Sequence, residues 1–210
     1  MKLLIFDLDG TLIDSVPDLT DAINKTFDEL NIEKVTENEV RNYLGNGAKT
    51  LIERALKDKN TPDLFQKALK TFKNHYKNNV CVKTSLYPGV KETLEKLQYK
   101  KAIVTNKPYE FVGEILKTLK IDEHFEMYIG GESLPEKKPS PLPLLYVCEK
   151  MGFDPKNSIM IGDSKNDIIA AKKAKIKSIA VNYGYNYGED VSVFEPDIII
   201  DDFTKLLEVL

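Results

Sequence analysis

Hydrophobic and polar positions follow two different rhythms along the chain. Short apolar runs, rich in β-branched residues and bounded by polar residues or glycine, lie at Leu3–Phe6, Ala102–Thr105, Met127–Ile129, Ser158–Ile161, Ser178–Val181 and Asp197–Ile200. Runs of this kind predict strands buried on both faces, as in a parallel sheet. Between them stand segments of helical period at Pro88–Gln98, Pro108–Lys120, Pro141–Met151, Ser164–Lys175 and Thr204–Leu210. Several open with proline or a capping Ser or Thr, as helices do. The alternation predicts right-handed βαβ units and an α/β fold with a doubly wound, Rossmann-like parallel sheet.

One stretch keeps only the helical rhythm. From Ser15 to about Asn79 the apolar positions are Leu19, Ile23, Phe27 and Leu30, then Leu51, Ile52, Ala55 and Leu56, then Leu64, Phe65, Ala68, Leu69 and Phe72. This spacing predicts an all-helical insert after the first strand. In an open α/β sheet, ligands bind at the carboxyl ends of the strands. The residues just after each strand are therefore the ones to read for chemistry.

Four such places carry candidates. Asp7-Leu8-Asp9-Gly10-Thr11 follows the first strand and brings two carboxylates to one space. Their repulsion would raise one of the two pKa values, and a hard cation such as Mg²⁺ would relieve it. A calcium loop would need glycine and glutamate where Leu12 and Asp18 stand, so that reading fails. Thr105-Asn106-Lys107 follows the second core strand, where a hydroxyl and backbone N–H groups suit an anionic oxygen, though an ordinary helix cap would look the same. Lys138 precedes Pro139, which keeps it out of the helical region, so its ammonium can point into the cleft or belong to a solvated turn. Asp163 and Asp167 stand four apart at the opening of a helix, on one face, as a metal site or a capping arrangement. Their succession at four strand ends is harder to assign to chance than any one alone.

Composition narrows the partners. Thirty basic residues against 33 acidic ones give a net charge of −3, so no basic field exists to hold nucleic acid or an anionic membrane. The two cysteines, Cys81 and Cys148, form no C-x-x-C pair and no disulfide framework, which fits a reducing cytoplasm. The apolar start is broken at Asp7, too early for a signal peptide, and no window reaches the ~18 apolar residues of a membrane helix. His75 and His124 are solitary. Tyr183, Tyr185 and Tyr187 read as packing over a loop rather than a platform for bases. Thr50 stands where a dinucleotide fingerprint beginning at Gly45 would need its third glycine.

Phe6-Asp7-Leu8-Asp9-Gly10-Thr11-Leu12, Thr105-Asn106-Lys107, Lys138-Pro139 and Gly162-Asp163-Ser164-x-x-Asp167 together resemble the motifs of the haloacid-dehalogenase superfamily of phosphotransferases. Within it the chain is most similar to the phosphoglycolate phosphatase branch, with further support in 42–48, 87–90, 184–188 and 196–200. The resemblance implies a core of residues 1–14 and 82–210 and a helical cap domain of residues 15–81. It implies Asp7 as nucleophile, forming an aspartyl-phosphate, and Asp9 as general acid and base. It implies Mg²⁺ held by Asp7, Asp9 (through its carbonyl), Asp163 and Asp167, and phosphate held by Thr105, Asn106 and Lys138. The turn Gly45-Asn46-Gly47 is expected to meet the substrate's other end and set specificity. The expected substrate is a small phosphorylated metabolite, 2-phosphoglycolate first, and the expected assembly a monomer or homodimer. A sugar phosphomutase, a pyrophosphatase, a nucleotidase or a silent binding protein could be built on the same core. A phosphonatase would need a cap lysine, for which Lys49 is available.

Overall fold

The computed structural model describes residues 2–210. Six parallel strands form the sheet: β1 (Leu3–Phe6), β4 (Lys100–Val104), β5 (Met127–Ile129), β6 (Ser158–Gly162), β7 (Lys177–Val181) and β8 (Ile198–Ile200). Their spatial order is β5-β4-β1-β6-β7-β8. The chain builds outward from β1 in one direction, then returns to its other side, so β1 is the switch point where a crevice opens. All six expected strands are present, with edges shifted by two residues or fewer.

Alternation along β1 divides the core. Leu4 and Phe6 face the cluster containing Ile103, Phe111, Ile115, Ile161 and Phe203. Leu3 and Ile5 face Ala102, Val104, Leu144, Val147, Met160 and Ala170. Helices therefore cover both faces: α5 (Val90–Lys96), α6 (Tyr109–Thr118) and α9 (Leu206–Val209) on the first, α7 (Leu142–Met151) and α8 (Lys165–Ala174) on the second. Each large apolar side chain buried this way contributes about 1.5–3 kcal/mol of transfer free energy.

The insert consists of α1 (Val16–Leu30), α2 (Glu37–Tyr43), α3 (Gly47–Leu56) and α4 (Pro62–Lys77). Ile23, Phe27, Ile52 and Phe72 are buried at its centre, at the helical spacing read from the sequence, and join the first core cluster without a break. Thr36 and Glu39 close a reciprocal cap at the start of α2, with Thr36 N donating to Glu39 Oε2 at 2.8 Å.

A small neck unforeseen in the sequence joins insert to core. Strand β2 (Ile13–Asp14) pairs antiparallel with β3 (Ser85–Leu86). Two residues per strand are too few for an alternation to show. Beside it, the buried carboxylate of Asp18 accepts from the N–H groups of Val82, Lys83 and Thr84 at 2.8–3.0 Å and from the Thr84 hydroxyl at 2.7 Å. One side chain thus ties the outgoing connection to the returning one. Asp18→Ala leaves three N–H groups without their acceptor and should lower the unfolding free energy by about 2–4 kcal/mol. Urea melts of the two proteins check this; equal midpoints would show the neck carries no stability.

Candidate active site

Strand β1 ends at Phe6, and the chain turns at once through Asp7 to Gly10. Gly10 has φ +88°, and a side chain there would collide with the Asp163 carboxylate and the Tyr185 ring. Glycine thus lets the loop after β1 lie directly against the loop after β6.

Asp7, Asp163 and Asp167 meet there, each offering a carboxylate oxygen within 4.8 Å of the others. Lys138 reaches into the group from the loop after β5, with Nζ 3.0 Å from Asp7 and 2.6 Å from Asp167. It is 1% exposed, so the alternative of a solvated turn is excluded. Burial opposes its charge, but Asp167 and Asp7 outweigh that and hold the ammonium above its ordinary pKa. Asp167 also accepts from the Ser164 N–H at 3.0 Å and hydroxyl at 2.8 Å. Asp167 therefore caps α8 and also stands in the carboxylate group. Asp163 accepts from the Thr11 hydroxyl and the Tyr185 N–H, both at 2.7 Å.

Three carboxylates against one ammonium leave negative charge in a dry place. Burial pushes Asp7 up to about 7, with Lys138 opposing and Asp167 adding to the rise. Burial, Asp167 and Asp7 push Asp163 well above the usual carboxylate range. An all-oxygen carboxylate cluster whose ionised form is penalised in this way fits a hard divalent cation. Asp9 lies outside the carboxylate cluster. Its side chain accepts from Ser15 Oγ at 2.6 Å and from Lys107 Nζ at 3.0 and 3.2 Å.

At the end of β4, the Thr105 hydroxyl accepts from the Lys107 N–H at 3.2 Å, while α6 begins later, after Pro108, so Thr105 is not its cap. Asn106 spends its amide on the Gly45 carbonyl (2.8 Å) and the Lys138 carbonyl (2.9 Å). Asn166, on the first turn of α8, donates to the same Gly45 carbonyl, to Asn46 Oδ1 and to the Tyr187 hydroxyl. Lys137 donates to the Asn46 carbonyl at 2.6 Å. The turn Gly45-Asn46-Gly47 is thereby seated on the core, above the strand ends. A cavity of about 40 Å³ remains beneath it, lined by Asp7, Asp9 and Thr105 on one side and by Leu44, Gly47 and Phe72 on the other.

Lys107 is the residue here to which the sequence reading gave no role. The signal was its place, two residues after the hydroxyl at a strand end beside the switch point. Tyr183 donates to the Thr11 carbonyl and Tyr185 to Asp14, so these rings pack the neck. His75 pairs with Glu29 on the insert's surface. Burial pushes the thiols of Cys81 and Cys148 up, which suits unreactive cysteines. Among the described residues, no helix is long and apolar enough to cross a membrane.

The family model described as haloacid dehalogenase-like hydrolase matches residues 4–181. A phosphoglycolate phosphatase of Colwellia psychrerythraea is 45% identical, over 98% of this chain and 95% of its own. One from Haemophilus influenzae is 44% identical, over 100% and 98%. The crystal structure of a predicted phosphoglycolate phosphatase from Haemophilus somnus superposes with a TM-score of 0.95 at 43% identity, covering 100% of this chain and 97% of that one. A match running from the first strand through the insert to β7, with relatives this similar along their full length, shows that the chain belongs to the haloacid dehalogenase-like hydrolase family.

Proposed function

We propose that this protein is a phosphatase that hydrolyses a small phosphate monoester, 2-phosphoglycolate, to glycolate and inorganic phosphate. The observation that carries the reading is the set of Asp7, Asp163, Asp167 and Lys138, with Asp7 also lining the cavity beneath the insert. The names of the relatives point to the same substrate.

In this reading Asp7 attacks phosphorus and forms an aspartyl-phosphate while the bond to the leaving oxygen breaks. Asp9 protonates that oxygen, then takes a proton from the water that releases phosphate from Asp7. Its side chain is free of the carboxylate cluster, as a proton carrier's must be. Lys138, the Thr105 hydroxyl and the backbone N–H of Asn106 hold phosphoryl oxygens. The side-chain N–H groups of Asn106, already committed, position Lys138 and the insert's turn. Mg²⁺ would be held by Asp7, Asp163 and the Asp9 carbonyl, with Asp167 anchoring Lys138 beside it. When bound, it would offset the repulsion between the nucleophile and the phosphoryl oxygens. Residues 15–81 act as the cap, and Gly45-Asn46-Gly47 shapes the cavity's roof.

Asp7→Asn should fold normally by circular dichroism and reduce phosphate release from 2-phosphoglycolate by at least ~10⁴-fold, judged by the loss on removing other catalytic nucleophiles. Turnover near the native rate would remove Asp7 from the mechanism. The raised carboxyl pKa values also fix a sign. Asp7 holds a proton below about 7, and Asp163 is raised well above the usual carboxylate range beside it, so a cation must displace protons in acid. Mg²⁺ should therefore raise Tm more at pH 8 than at pH 5.5. Without a cation, stability should fall as pH climbs from 3.8 through about 7, because the folded state binds more protons. A Tm shift equal at both pH values would place the cation elsewhere.

A further inference from the structure

Lys107 carries a charge that the phosphoryl chemistry leaves unused. Its side chain is 3% exposed, paired with Asp9 and 4.9 Å from the centre of the Tyr76 ring, a residue of α4. It lines the cavity beneath the insert together with Asp9, Gly47, Leu51 and Phe72. Burial opposes its charge, and Asp9 outweighs that, so it stays an ammonium. Burying an ion pair is often neutral for stability. Stability alone therefore gives little reason for a lysine here.

What surrounds the cavity gives a better one. Lys138, the other buried ammonium of the site, is occupied by Asp7 and Asp167 at the far side. On the insert's side Leu44, Leu51 and Phe72 could not solvate an anion. The first turn of α3 does face the cavity through Gly47 and Ala48, and its N-cap residue Asn46 makes no side-chain cap, pairing with Asn166 instead. Positive potential there comes from Lys107, assisted by the start of this ten-residue helix.

We propose that Lys107 is a specificity-determining residue, selecting among small phosphate monoesters those whose leaving group carries a carboxylate. The inference rests on the reading above and names the group behind its substrate. The leaving oxygen must lie beside Asp9 to receive its proton. In a 2-phosphoglycolate the carboxylate is attached to the carbon bearing that oxygen. An ammonium 3.0 Å from Asp9 and facing the same space is within reach of it. Two of its N–H groups serve Asp9, and the third, beside the Tyr76 ring, is the one a substrate carboxylate would take.

The test compares kcat/KM for 2-phosphoglycolate with that for 2-hydroxyethyl phosphate, a near-isostere lacking the second anion. Native protein should prefer the carboxylate. Lys107→Met should cut that preference about 10- to 100-fold, and Lys107→Arg should restore part of it. Product inhibition of the native protein supplies a measurement that needs no variant: glycolate should inhibit and ethylene glycol should not. If Lys107→Met slows both esters equally and keeps the preference, Lys107 serves only Asp9 or the fold, and the proposal alone falls. Glycolate and ethylene glycol inhibiting alike would also overturn it. If native protein shows no preference for 2-phosphoglycolate, this proposal and the substrate assignment fall together, while phosphatase activity stands.

Discussion

Like charges held close together, away from water, are the constraint around which this molecule is arranged. Asp7, Asp163 and Asp167 come from two strand ends that are neighbours only in space, and a single lysine from a third loop lies among them. In a medium of low dielectric such a group is tolerated only with fixed donors and a counter-charge. The local details follow from that need. Thr11 and the Tyr185 N–H serve Asp163, Ser164 serves Asp167, and Leu8 N–H serves Asp7. Gly10 is there because nothing larger would fit against the Asp163 carboxylate.

Much of this was legible from residue order. Parallel strands buried on both faces announce themselves as short apolar runs, and β1, β5 and β6 begin where those runs begin. The insert showed through its helical period, because Ile23, Phe27, Ile52 and Phe72 each need an apolar partner. What could not be read depends on distance in sequence. The pairing of β2 with β3 spans the whole insert and involves two residues a side. The bond from Asp18 to Val82–Thr84 crosses the same gap, and Asp18 looks in sequence like any acid in the first turn of a helix. Lys107 stood in plain view, but its partner Asp9 is 98 positions away.

The sequence also offered readings that geometry then ordered. Asp9 and Asp7 look equivalent as a pair of aspartates two residues apart. In the fold they part company: Asp7 joins the carboxylate cluster, while Asp9 turns to Ser15 and Lys107 at the edge of the insert. In a continuing strand two residues spaced by two would share a face. Here the strand ends at Phe6 and the chain turns through 7–10, so the two carboxylates separate.

The carbonyl of Gly45 has a consequence beyond fit. Two asparagine amides from different core loops converge on it, and one of them, Asn106, also binds the carbonyl of Lys138. Were the turn to lift away, both amides would lose a shared acceptor beside a cavity whose wall carries Asp7, Asp9, Thr105 and Lys107. Solvent replacing it would arrive next to Asp7. The bonds that seat the turn therefore also govern how much water reaches that carboxylate.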